Sequence, residues 1–412
     1  MYHGKVGYIV TAFIGFFALS VSAQSWTDIT SDVIAAQHLS AGDFRGCSGL
    51  TVNRLTGDVY VQIISHGIWK STDQGTTWSR IDQNTVSGRC ETGVAMTADQ
   101  DNPVRLAVFS LDGGAGYTPD GSTWHKFTNM GRNWDFGSVD WGAANPLVML
   151  AAKHEDGSKV YKTVDGGLTW TLLSFSLNAQ GYTKSSMIGV MDENTFIYCF
   201  NGGIQRSTDQ GASWTQVSTT VASTKIPVLF KGKHYLGAAT GLWVSSDKGA
   251  TWTKQGESIE ISQGPFFGAD ENTMVIANTQ GIFKSTNAGK AWTNVAGLPA
   301  PYTGLTFDPL WFAGFSWDPV RNTIYANRMN CPTYKFVMQG TGILNPLISI
   351  SQLKNPVAAT RIIHVSDNGI LIDAGANKVY SMNGRRQGLD KTKLLSYPTS
   401  GSRHEPTHNP PQ

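Results

Sequence analysis

The stretch "STDQGTTW", residues 71–78, comes back along the chain with the same skeleton. It is "KTVDGGLTW" at 162–170, "STDQGASW" at 207–214 and "SSDKGATW" at 245–252. Looser copies stand at 117–124, "YTPDGSTW", and at 285–292, "STNAGKAW". In the four full copies an Asp precedes the Trp by five residues and a Gly precedes it by three. Asp accepts hydrogen bonds from backbone amides just ahead of it and so closes a turn. Gly supplies a positive φ that a side chain opposes. Ser and Thr hydroxyls add bonds to the same turn, and Trp opens the next strand and covers it. The motif therefore reads as a self-contained hairpin turn. The copy at 117–124 is one residue shorter, and Asn287 replaces Asp in the last.

The six tryptophans, at 78, 124, 170, 214, 252 and 292, are separated by 46, 46, 44, 38 and 40 residues. That spacing is one four-stranded propeller blade. The first repeat shows the strands: "GLTV", "DVYVQI", "GIWKST", then "TWSRI" after the turn. β-Branched and aromatic residues alternate with polar ones between Gly-rich turns.

The motif resembles the Asp-box, or BNR repeat, of sialidases and other secreted propeller proteins, over residues 49–295. The resemblance implies an all-β fold, a single β-propeller of seven or eight four-stranded blades. It also implies that the boxes are structural staples lying away from any active site. "SWTDIT" at 25–30 looks like the strand that follows a box, yet no box precedes it. It is expected to be the outer strand of the last blade, donated by the N-terminus. Box-free strands are expected from "FSWDP", "NTIYANR", "YKFVMQ", "RIIHVS", "GILIDA" and "KVYSMN".

Composition narrows the setting. Of 412 residues 40% are hydrophobic, enough for a sizeable core, and the formal net charge of +2 gives no reason to expect nucleic acid. Lys5, the apolar run "YIVTAFIGFFALS" and the small residues Val21-Ser22-Ala23 read as a secretory signal, with an uncleaved membrane anchor as the alternative. The expected organisation is a signal peptide at 1–23, the propeller at 24–384 and a polar, Pro-rich flexible tail at 385–412. The mature chain is expected to be extracellular, or periplasmic in a bacterium, monomeric and off the membrane. The four cysteines, Cys47, Cys90, Cys199 and Cys331, fit no zinc spacing. Cys47 and Cys90 occupy equivalent positions in adjacent blades, so either a disulfide bracing that face or a pair of buried thiols is expected. Cys199 and Cys331 are assigned no partner. No cofactor is expected beyond a structural calcium ion at most.

In a four-stranded blade the box joins strands three and four on one side of the disc. The opposite side carries the loops that lead into each inner strand and those that join strands two and three. The first set delivers Arg45, Arg89, Arg132 and Lys184, and the second His66, Asp112, His154 and Arg328. Tyr182 lies in the first set too, and the equivalent loops of blades five and six, "AATG" and "ANTQG", are uncharged. A cationic, off-centre site over blades one to four is expected, with an acidic oligo- or polysaccharide as its partner, gripped by Arg45, Arg89, Arg132, Lys184 and Arg328.

Three functions follow. A polysaccharide lyase needs a cation on the uronate and a His or Tyr base, for which His66, His154 and Tyr182 are the candidates. In size and layout the chain is similar to lyases that split rhamnose from glucuronate at arabinogalactan ends, and β-elimination is the leading expectation. A glycoside hydrolase needs two carboxylates, and Glu91, Asp112, Asp135 and Glu155 are available. Sialidase chemistry would require a Phe-Arg-Ile-Pro motif, and "DFRGCSG" stops at Phe-Arg. A non-catalytic glycan-binding propeller is the third.

Overall fold

The computed structural model describes residues 25–37, 46–128, 133–142, 148–154, 159–176, 187–302 and 313–339, together with four short strands beyond residue 362. Seven four-stranded antiparallel blades form a β-propeller. Blades 1 to 6 run in chain order over 47–80, 96–126, 134–176, 187–218, 228–255 and 263–296. Blade 7 takes three strands from 313–337 and its outermost strand, Thr27–Asp28, from the N-terminus. Thr27 pairs with Lys335 and Asp28 with Tyr334. Trp26 adds a ring contact to Phe336 at 5.4 Å, and the Thr333 N–H donates to Thr30 Oγ1 at 2.7 Å. The ring closes where the sequence placed its closure.

The chain divides into two compact units, 1–345 and 346–412. The second holds a four-stranded antiparallel sheet, Ile363–Val365, Ile370–Asp373, Lys378–Ser381 and Arg386–Gln387. The strands expected from "RIIHVS", "GILIDA" and "KVYSMN" are these, and the propeller has seven blades without them. The leader and the chain after residue 387 lie outside the described residues.

All six boxes share the bonds of the Ser or Thr hydroxyl and of the Asp or Asn side chain, and the four full copies add a bond from the Trp indole to the box glycine. In blade 4 Ser207 Oγ donates to Asp209 Oδ1 at 2.7 Å and accepts from the Gly211 N–H at 2.8 Å. Asp209 Oδ1 then accepts from the Ser213 N–H at 2.9 Å, and Trp214 Nε1 donates to the Gly211 carbonyl. Gly211 has φ +89°, and Gln210 before it has φ +58°. The left-handed region thus spans two residues, not the glycine alone.

The boxes also staple neighbours. Lys335 Nζ of blade 7 donates to Gln74 O in the first box at 2.9 Å, and Arg206 Nε of blade 4 to Lys248 O in the fifth at 2.8 Å. Between inner strands the packing is tighter still. A Cβ on Gly137 would lie 2.3 Å from the Phe109 ring of the preceding blade, so only glycine fits there.

Candidate active site at the loop-bearing mouth

Opposite the boxes, the two loop sets are stitched together by backbone bonds. Ile64 N–H donates to Gly46 O, and Ser65 N–H to Gly88 O. Arg89 bridges to Leu111, Leu111 to Asn133, and His154 N–H donates to Asn133 O. This continuous girdle links the leading loop of each inner strand to the turn between strands two and three. It brings side chains far apart in sequence to one rim over blades 1 to 3.

Arg89 stands at its centre. Its Nε contacts Glu91 Oε2 at 3.1 Å and its Nη1 contacts Asp112 Oδ2 at 2.5 Å. The guanidinium is 14% exposed and Glu91 15%, whereas Asp112 is 61% exposed. One residue beyond Glu91, Thr92 Oγ1 donates to the backbone O of Asp135 at 2.9 Å. Asp135 Oδ1 in turn lies 2.5 Å from His154 Nδ1. Two side-chain clusters, Glu91–Arg89–Asp112 and Asp135–His154, therefore stand where blades 2 and 3 meet, linked through Thr92 and the Asp135 backbone. Among these described residues carboxylates outnumber cations, while three of the expected cations, Arg45, Arg132 and Lys184, lie outside the described residues. The sequence did not reveal that Arg89 would be spent on two acids, because Asp112 arrives from another strand end.

The other expected residues are placed as follows. His66 sits in the turn after the second strand of blade 1, next to Ser65, and its carbonyl accepts from Trp69 Nε1 at 2.9 Å. The bond from Ser65 to Gly88 makes this turn adjacent to the Arg89 loop. Arg328 ends the second strand of blade 7, at the seam with blade 1, and its carbonyl accepts from the Cys331 N–H at 2.9 Å. Arg45, Arg132, Tyr182, Lys184 and Glu155 lie outside the described residues. No group of three His, Cys, Asp or Glu among the described residues is arranged to hold a metal ion.

Below the mouth runs the central channel, about 150 Å³, lined by the inner strands of all seven blades from Leu50 round to Phe315. Its box-side end is crossed by polar contacts between opposite blades. Arg54 of blade 1 donates through Nε to Gln100 O of blade 2 and through Nη1 to Gly268 O of blade 6 at 3.1 Å. The same guanidinium lies over the Phe230 ring of blade 5, 4.9 Å from its centroid. Asp101 of blade 2 accepts from the Lys231 N–H of blade 5 at 2.9 Å. These partners are 46 to 214 residues apart in the chain, so no local pattern announces them.

His234, in the second strand of blade 5, also lines the channel. It is 4% exposed, and its Nδ1 makes no hydrogen bond. Burial pulls its pKa down to about 4, against the smaller opposing effect of Asp192. The ring is therefore neutral at ordinary pH.

The four cysteines are free thiols, so the disulfide expected between Cys47 and Cys90 is absent and the buried-thiol alternative holds.

No protein-family model matches the chain, and no curated protein matches it. Solved structures do match. The GH74 xyloglucanase from Xanthomonas campestris is 16% identical over 71% of this chain and 43% of its own, with a TM-score of 0.46. The GH74 enzyme of Niastella koreensis is 14% identical over 72% of this chain and 44% of its own, with a TM-score of 0.47. YCF48 from Cyanidioschyzon merolae is 11% identical over 76% of this chain and 98% of its own, with a TM-score of 0.40. This chain thus spans less than half the length of the two GH74 chains. At these identities the likeness is one of fold.

Proposed function

We propose that the protein is an exported, monomeric glycan-degrading enzyme, a glycoside hydrolase whose acid–base groups are the carboxylates at the rim over blades 2 and 3. The observation that carries this reading is the array Glu91–Arg89–Asp112 beside the Asp135–His154 pair. Glycoside hydrolysis needs one carboxylate committed to its charged form and another group that can deliver a proton. Glu91, paired with Arg89 Nε at 3.1 Å and well shielded, suits the nucleophile or base. Asp135 Oδ1 lies 2.5 Å from His154 Nδ1, and this pair is placed to act as the proton donor. Asp112, the most exposed of the three, suits substrate hydroxyls.

The loops at this rim differ from blade to blade, which supports one site rather than a lectin's repeated pockets. A second reading rests on the same pair: an imidazole oriented by a carboxylate is also the base that β-elimination on a uronate requires. It ranks second because Arg89, one of the cations such an enzyme could set against the uronate, already contacts two carboxylates. Incubation with a panel of neutral and acidic glycans separates the readings. Hydrolysis releases new reducing ends without absorbance near 235 nm, the signature of an unsaturated uronate. Absorbance there would establish the lyase, and binding without products would leave a non-catalytic propeller.

A further inference from the structure

At the seam where blade 7 meets blade 1, two of the four cysteines stand directly opposite each other on the backbone. Cys47 and Cys331 are partners in an isolated antiparallel bridge, and the Cys47 N–H donates to Cys331 O at 2.8 Å. The approach is close along the whole contact: a Cβ on Gly46 would lie 2.7 Å from Asn330 C and 2.8 Å from Cys331 N. Direct partners in an antiparallel ladder have Cα atoms about 4.5–5.5 Å apart and side chains on the same side. A disulfide spans Cα separations of about 4.4–6.8 Å. Cys90 and Cys199 have no such cysteine partner among the described residues.

We propose that Cys47 and Cys331 are a cross-linking site, a disulfide that locks the propeller ring at its closure. The position is the one where covalent closure matters most. Cys47 opens the inner strand of blade 1, and Cys331 lies between the second and third strands of blade 7. Thr30, on the N-terminal segment that completes blade 7, touches both sides of the seam, through its Oγ1 with Cys47 Sγ at 3.7 Å and the Thr333 N–H at 2.7 Å. Until a bond forms, the ring is held there by hydrogen bonds and packing alone.

The chemistry is a two-step exchange with a low-molecular-weight disulfide such as oxidised glutathione. Cys331 is half-buried and Cys47 wholly buried, so Cys331 reacts first. Burial raises the Cys331 thiol, and the Arg328 guanidinium partly offsets this by favouring the thiolate. The Cys331 thiolate attacks one glutathione sulfur and expels the other half as a thiolate. Cys47 loses its proton and attacks Cys331 Sγ, forming the internal disulfide and expelling the second glutathione. Two protein thiols lose two protons and two electrons, and one glutathione disulfide becomes two glutathiones. Arg328 lies at this seam, at the end of the second strand of blade 7.

The test equilibrates the folded protein with oxidised glutathione, traps remaining thiols under denaturing conditions, and maps the cross-linked peptides by mass spectrometry. Two of the four thiols should be consumed, in one peptide joining residues 47 and 331, and the melting temperature should rise by several degrees because a very long loop is closed. Cys331→Ser should abolish both the cross-link and the rise, while Cys90→Ser should keep both. Four titratable thiols after equilibration would overturn the proposal. So would a cross-link elsewhere, or a Cys331–glutathione adduct that Cys47 never displaces.

Discussion

The two sides of this disc obey different rules. On the box side, six turns repeat one set of bonds, from Ser71–Asp73–Gly75 in blade 1 to Ser285–Asn287–Gly289 in blade 6. On the loop side, only the backbone girdle recurs, and the side chains it presents change with every blade. The repeated side is held by bonds within each turn and by bonds from the preceding blade's third strand. The varied side gathers Arg89, Asp112, Asp135 and His154 from four strand ends. What repeats here builds the ring, and what varies is free to act on a ligand. A residue's expected effect on stability should therefore depend on which side it serves.

The largest effect is expected at the seam. Deleting residues 25–31 removes the outermost strand of blade 7, the Thr30–Thr333 bond, and Ile29, whose carbonyl accepts from Trp78 Nε1 at 2.9 Å. The remaining strand, Tyr334–Val337, would become an unpaired edge. A circular-dichroism melt should show no cooperative transition. A truncated protein that melts like the intact chain would show that blade 7 closes without this strand.

Next comes the channel wall. His234 has a folded pKa depressed to about 4, below its ordinary value near 6.5. Between those values the unfolded chain binds a proton that the folded chain excludes. Stability is therefore complete above about pH 6.5 and falls as pH drops towards 4, by a few kcal/mol in all. His234→Gln should flatten this limb of a stability–pH curve. The box carboxylates act in a lower window. The Thr77 N–H holds Asp73, and the Ser213 hydroxyl holds Asp209, at about 2. Their contribution is present above about pH 4 and is lost as pH falls to about 2. Acid unfolding should show two limbs, and a single limb confined to pH below 4 would remove His234 from the account.

Smaller effects distinguish the residues within a box. Ser207 is 1% exposed and satisfies the buried Gly211 N–H, so Ser207→Ala should cost about 1–3 kcal/mol in chemical denaturation. Asp209 is exposed, and Asp209→Ala should lower the midpoint less. The reverse order would mean that the carboxylate, not the buried hydroxyl, sets the turn.

That contrast shows what was legible in the sequence. The spacing of Trp78, Trp124, Trp170, Trp214, Trp252 and Trp292 revealed the propeller, because each box is local and every bond spans at most four residues within its turn. The closing strand was legible since "SWTDIT" copies the strand after each box. The buried role of the box serine was not, because one octapeptide cannot say which side chain faces the core. At the mouth, the loops carrying Arg89, Asp112, His66 and His154 were found from blade topology, but their partners were not. Whether Arg89 meets a ligand or two acids depends on where Asp112 of the next strand end arrives. Cys331 was assigned no partner for the same reason: it meets Cys47 across nearly the whole chain.

The central claim is that the rim over blades 2 and 3 acts on glycan while the boxes only hold the ring. It is tested most directly by measuring turnover and melting temperature together for Glu91→Gln, on the glycan the unaltered protein cleaves. Glu91 lies on the varied side, and Gln keeps the side chain's shape and an amide oxygen that can still accept from Arg89 Nε. Turnover should fall by at least about 10²-fold, the loss typical of an acid–base or nucleophilic group, with the melting temperature nearly unchanged. Turnover that survives in a fully folded Glu91→Gln protein would contradict the claim.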